Sequence, residues 1–175
     1  MIYRYKDKVP QLAPDVFVAE NATVIGDVKI GAGSGIWFHS IARGDVHSIE
    51  IGENSNVQDH SVLHVTSGKF ALHIGNNCTL GHRVTVHGCT LKDFAFLGIG
   101  STVLDGCVIE EFGFLAAGSL LAPGKVIPAR MLAMGSPAKV IREITAEEET
   151  MMRTIVQRYK DLKDVYRDPE SFRPL

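Results

Sequence analysis

Residues 97–121 read LGIGSTVLDGCVIEEFGFLAAGSLL. One aliphatic residue returns every six positions, at Leu97, Val103, Ile109, Leu115 and Leu121, with small residues filling the steps between. A helix has a period of about 3.6 and an amphipathic strand one of about 2, so a strict six fits neither. It fits short strands separated by tight corners, each pointing one aliphatic side chain inward. The same step runs on to Ile127 and back through much of the chain. Val18, Val24, Ile30 and Ile36 begin it; after a shift near Arg43 to Ile49, it continues at Ile51, Val57 and Leu63. A gap from Val65 to His73 precedes Ile74, Leu80 and Val86, and one step of five leads to Leu91. Glycines such as Gly26, Gly52, Gly81 and Gly118 fall where the corners belong.

Three hexads make one triangular coil of about 18 residues, and successive coils stack at the strand spacing of ~4.8 Å. The chain holds about eighteen hexads, which predicts an all-β fold, a parallel β-helix of about six coils. A β-sandwich with regular turns is the alternative, but sandwich strands are not spaced so uniformly. The repeat fades after Ile127, and Gly135-Ser136-Pro137-Ala138-Lys139 reads as a turn. Thr145 with Glu148 is a capping box, and Met151, Met152, Ile155, Val156, Tyr159 and Leu162 keep helical spacing as far as Arg167. Two units are expected: residues 1–143, the β-helix with an N-terminal lead-in, and residues 144–175, a helix and tail covering the prism or a neighbour's.

Composition narrows the function classes. With 18 basic and 20 acidic residues and no long single-sign run, no electrostatic footprint exists for nucleic acid or anionic lipid. No stretch approaches the ~20 apolar residues of a membrane span, and Met1 to Lys8 do not read as a signal peptide. Cys78, Cys89 and Cys107 lack C-x-x-C spacing, which suits a reducing compartment, so the cytoplasm is expected.

The hexad frame turns sequence positions into faces. His64 follows the inward Leu63 and His87 follows the inward Val86, three hexads later. The two histidines therefore stack one coil apart on one face, where two imidazoles can share a metal ion. His82 sits two places after Leu80, on the preceding face, and could reach only the ion of a neighbouring chain. A closed ring of three prisms would satisfy every such half-site. Three neutral nitrogens and an open position are the ligand set of a catalytic zinc; the alternative is three separate surface histidines. His39, His47, His60 and His73 have no such register and read as surface or hydrogen-bonded side chains.

Other polar residues fall into the same columns. Arg43 lies one coil below His64 if the irregular step to Ile51 counts as a single hexad, and Gln58 and Asp59 lie one coil below the hexad of His82. Asp59 could orient the His82 ring or pair with Arg43 across an interface. Gln58 could hydrogen-bond a metal-bound water, and Arg43 with Asp45 could form an ion pair fixing a trimer's register. Each could equally be a solvated or structural polar residue.

The runs Arg43-Gly44-Asp45, Asn56-Val57-Gln58-Asp59, Leu63-His64 and Gly81-His82-Arg83-Val84-Thr85-Val86-His87-Gly88-Cys89-Thr90 resemble the γ-class carbonic anhydrases and their close relatives. The resemblance extends from about Pro14 to Arg142 and includes the turn at Gly135 and the terminal helix. It implies a left-handed β-helix and a homotrimer with His64, His82 and His87 as metal ligands, two from one chain and one from its neighbour. It implies Gln58 and Asp59 beside the metal, and Arg43 and Asp45 as an interface pair. The implied metal is zinc, with Fe(II) or cobalt accepted, and the implied reaction is reversible hydration of CO2 to bicarbonate.

The best-characterised γ enzymes carry a carboxylate just after the position of Asp45 and another on an acidic loop beyond the first ligand. Here Val46 stands at the first, and Val65-Thr66-Ser67-Gly68-Lys69 has neither Asp nor Glu. A proton shuttle must lie within hydrogen-bond or one-water reach, which leaves buffer or His47 for the task and points to slow or absent turnover. The rival readings are an acyltransferase using acyl-CoA, a CoA-thioester hydrolase at the same metal, and a non-catalytic metal-binding or assembly subunit.

Overall fold

A computed structural model describes residues 1–174. The chain winds seven times around one axis as a left-handed parallel β-helix. Its first coil is β1 (Ile2–Tyr3), β2 (Gln11–Leu12) and β3 (Phe17–Val18). In the second, β4 (Thr23–Ile30) turns a corner unbroken before β5 (Gly35–Ile36); in the third, β6 (Ile41–Ile51) does the same before β7 (Asn56–Val57). The fourth is β8 (Val62–His64), β9 (Leu72–Ile74) and β10 (Thr79–Leu80), and the fifth β11 (Thr85–His87), β12 (Thr90–Leu91) and β13 (Phe96–Leu97). Then come β14 (Thr102–Val103), β15 (Val108–Ile109) and β16 (Phe114–Leu115), and finally β17 (Leu120–Leu121), β18 (Val126–Ile127) and β19 (Met131–Gly135). A last strand, β20 (Ala138–Glu143), folds back antiparallel on β19.

The coils number seven rather than six, because the N-terminal lead-in is itself a coil. Ile2 pairs with Val24 and Leu12 with Ile30, but the hairpin closed between Tyr5 and Lys8 hides the period in between. Each face stacks one inward column. On the first face Val24, Ala42, Leu63, Val86, Val103 and Leu121 lie in register and are essentially inaccessible. Burying each Val or Leu side chain is worth roughly 1.5–3 kcal/mol, and the column repeats on all three faces, so the period of six is the core itself.

The irregularities gather at one corner, between the first and second faces. Gly26 pairs with Gly44 but Val28 pairs with Ile49, so residues 45–48 stand opposite Asp27 alone, an insertion of three residues at that corner. One coil on, the chain from Val65 to Ala71 makes a short loop closed by an antiparallel bridge between Thr66 and Phe70. The next coil turns the corner tightly at Gly88, which has φ +49°. A side chain there would collide with Asp105 and with Phe70, whose Cβ would be 2.7 Å away.

The helix α1 (Ala146–Arg167) starts on the reciprocal capping box of Thr145 and Glu148 and runs back along the third face. Near its start, the Arg153 guanidinium lies 4.7 Å from the centroids of both Phe94 and Phe112, which are stacked on each other. Near its end, Tyr166 packs on Phe17 and Trp37, and Arg167 donates to the Pro14 carbonyl at 3.0 Å. Met152 and Val156 are buried as their spacing requires. Met151 is exposed instead, and Lys163 is buried in the stripe's continuation, its long methylene stem covered and its ammonium held 2.6 Å from Asp164. No helix among the described residues is long and apolar enough to cross a membrane.

Candidate metal centre

The register of β8 and β11 places His64 directly beside His87 on the first face. Their rings lie 5.0 Å apart, and His64 Nδ1 faces His87 Nε2 at 3.1 Å. The other nitrogen of each ring is held by a carboxylate. Asp45, from the inserted corner of β6, has Oδ1 3.0 Å from His64 Nε2. Asp105, from the corner after β14, has Oδ1 2.7 Å from His87 Nδ1.

A neutral imidazole carries one proton. With those protons donated to Asp45 and Asp105, the two facing nitrogens both present lone pairs. Lone pairs at 3.1 Å repel unless a cation sits between them. Nitrogens 2.0–2.1 Å from a shared tetrahedral zinc are about 3.3 Å apart, so the observed spacing fits an ion with little movement. A carboxylate behind each ring would fix the tautomer that leaves the facing nitrogen free to bind a metal ion.

Both acids are built to stay ionised. Burial alone would raise the Asp45 carboxyl, but hydrogen bonds from His64 and Arg43 and the guanidinium charge outweigh it and hold it below the ordinary aspartate value. Asp105 is likewise pushed up by burial and pulled further down by hydrogen bonds from His87 and Thr66 and by the charge of Lys69. Arg43 pairs with Asp45 within one chain. Asp45 thus links the guanidinium to His64, a contact the hexad columns do not reveal.

His82 stands past β10, where the third face turns into the first. Its Nδ1 lies 2.8 Å from Asp59 Oδ2, so it repeats the pattern of a ring held by an acid on one side. Of the two roles open to Asp59, orienting His82 is the one seen. Among the described residues, no three His, Cys, Asp or Glu side chains of one chain gather to hold an ion. Gln58 is buried, its amide donating to Asn56 Oδ1 at 3.0 Å. With His82 it lines a cleft of about 490 Å³ between the third face and α1, whose other walls include Phe96, Phe114, Met151 and Tyr159. Burial, and secondarily the charge of Asp59, push the Tyr159 hydroxyl pKa up.

The remaining histidines stay apart from the pair. His39 and His60 stack face to face at 4.8 Å, His73 meets Glu50 at 3.4 Å, and His47 Nδ1 accepts from the Ser48 amide. His47 lines a separate groove with Lys69, Phe70 and His73. Asp105 and Thr66 are the polar residues that reading the sequence missed. The available signal was the register: Val103 stacks on Val86, which sets Asp105 beside Gly88, next to His87.

No protein-family model matches the chain. It is 42% identical over 167 residues to a carbonic anhydrase of Geobacillus kaustophilus, covering 95% of this chain and 91% of that one. It is 43% identical over 170 residues, 94% of its length, to gamma carbonic anhydrase 2 of Arabidopsis thaliana, a mitochondrial protein. The chain spans about three fifths, 61%, of that plant protein. A solved structure from Bacillus cereus, named provisionally as an acetyltransferase, superposes with a TM-score of 0.93 at 45% identity, covering 95% of this chain and 96% of that one.

Proposed function

This chain belongs to the γ-class carbonic anhydrase family, and on that basis we propose that it is a homotrimeric, metal-dependent enzyme hydrating CO2 to bicarbonate slowly. The observation that carries this reading is the pair of facing nitrogens on His64 and His87, 3.1 Å apart, with the far side of each ring held by an aspartate. In the trimer, His82 of a neighbouring copy completes the ligand set at each boundary. Zinc suits three neutral imidazoles, and Fe(II) or cobalt fits the same donors. When bound, the ion supplies Lewis acidity that lowers the pKa of a coordinated water from about 15.7 to about 7, giving a nucleophile for CO2 at neutral pH.

The chain's own residues orient and insulate that chemistry. Asp45, Asp59 and Asp105 each keep one histidine in the tautomer that binds, and Arg43 keeps Asp45 in place. Gln58, buried beside His82, supplies an amide for holding a polar substrate or product. Proton export is the slow step: the three carboxylates nearest the histidines are all engaged in positioning them, and a shuttle needs a carboxylate free to pick up and release protons. Three unpaired, buried thiols suit a reducing compartment, so we place the protein in the cytoplasm.

The cleft beside His82 favours a second reading, transfer or hydrolysis of an acyl group from a CoA thioester, since its apolar walls suit an acyl chain. Metal content measured alongside stopped-flow CO2 hydration separates the two. Hydration above the buffer rate, lost with the metal in His64→Ala, supports the anhydrase. Metal without hydration, together with acyl-CoA turnover, would replace it with the acyl reading, and metal with neither would leave a scaffold subunit.

A further inference from the structure

We propose that Asp105 is the positioning residue for His87 and that Thr66 in turn positions Asp105. The short loop from Val65 to Ala71 is then a working part of the metal centre. This rests on the metal-site reading above and deepens it.

Asp105 divides its two oxygens. Oδ1 accepts from His87 Nδ1 at 2.7 Å, and Oδ2 accepts from the Thr66 hydroxyl at 2.9 Å. The first bond fixes the proton on Nδ1 and leaves the Nε2 lone pair facing His64. The second stops the carboxylate from swinging away, because rotation about its Cβ–Cγ bond would break the bond to Thr66. Thr66 is itself immobilised: its amide donates to the Phe70 carbonyl at 3.1 Å, and its carbonyl accepts from the amides of Lys69 and Phe70 at 3.2 Å.

The packing around the latch is specific to it. Phe70 lies against Gly88 and Gly106, its ring 3.1 Å from where a Cβ of Gly106 would stand, and any side chain at position 88 would collide with Asp105 Oδ1. Gly88 therefore makes room for the carboxylate at the residue following His87. The backbone ties the same pieces together, with Gly88 donating to the His64 carbonyl at 3.0 Å and Gly106 to the Gly88 carbonyl at 2.8 Å. A loop without acids thus contributes a hydroxyl that holds an acid supplied from another coil.

The test uses full-length protein with Co(II) as probe, comparing wild type, Asp105→Asn, Thr66→Val and Thr66→Ser. Cobalt affinity is read by competition with a chromophoric chelator, the ligand field from the visible band, and the His87 tautomer from 15N NMR of metal-free protein. Asp105→Asn is expected to weaken cobalt binding by about 10–100-fold and to shift the His87 tautomer away from Nδ1–H. Thr66→Val should show a smaller loss with an altered visible band, and Thr66→Ser should restore the wild-type affinity and band. Variants that bind cobalt as tightly as wild type, with the same band and tautomer, would overturn the inference while leaving the metal centre standing. Wild-type protein that binds no cobalt would overturn both.

Discussion

His82 holds its acid on a different face from His64 and His87, and no single chain gathers three ligands among the described residues. A site built at a boundary predicts complementation between two defective chains. His82→Ala retains the stacked pair but cannot complete its neighbour's site; His64→Ala retains His82 but has lost the pair. Each homotrimer should therefore bind essentially no metal at its boundaries. In a closed ring every boundary joins one chain's pair to the next chain's His82. Random mixing of the two variants in equal amounts makes a boundary intact only when its pair comes from the first variant and its His82 from the second. That probability is one half times one half, so about a quarter of boundaries recover. Differently tagged variants, co-expressed and purified through both tags in sequence, contain only mixed trimers. Each mixed ring, whatever its ratio, has one intact boundary, so metal analysis should find about one ion per trimer. Full occupancy in the His82→Ala homotrimer would refute the shared site, and mixed trimers as empty as their parents would refute the assignment of the ligands.

Three further outcomes follow from the fold and the site. Ile109→Ala, at a fully buried inward position away from the histidines, should cost about 2–5 kcal/mol in denaturant unfolding without changing metal affinity. The Arg142 hydrogen bonds, with smaller help from the Thr145 amide and the Arg142 charge, outweigh burial and hold the Glu148 pKa at about 2, below its ordinary 4.5. Because the folded value is the lower one, this contribution is fully present above pH 4.5 and is lost as the pH falls from there toward 2, so circular dichroism should show the helix loosening with acid in wild type and much less change in Glu148→Gln. Finally, CO2 hydration should rise with the concentration of an imidazole buffer at fixed pH, since Asp45, Asp59 and Asp105 are engaged in holding the histidines; a rate independent of buffer would reveal an internal shuttle.

Much of this was legible in the sequence because the core has one repeating requirement. An inward aliphatic every six residues fixes the column of every other residue, so the neighbouring positions of His64 and His87, and of Asp59 and His82, follow by counting. Counting fails where the chain leaves the frame. Asp45 reaches His64 from an insertion, and Thr66 reaches Asp105 from a loop; both contacts depend on corner conformations such as the left-handed Gly88. The first coil escaped for the same reason, since the Tyr5–Lys8 hairpin interrupts its period. Lys163 escaped because an apolar stripe is read by residue type, while a lysine's stem packs like an aliphatic chain.

The returning helix has a consequence for how the molecule comes apart. A stack of repeats in which each coil touches only its neighbours behaves as a one-dimensional chain and frays from its ends. Here α1 is fastened to the later coils through Arg153 on Phe94 and Phe112, and to the earliest through Tyr166 on Phe17 and Arg167 on Pro14. Peeling a terminal coil therefore means releasing one end of a strut that also braces the other. Neighbour-by-neighbour loss becomes an all-or-none event, and the paired histidines in the middle coils share the cooperativity of both ends.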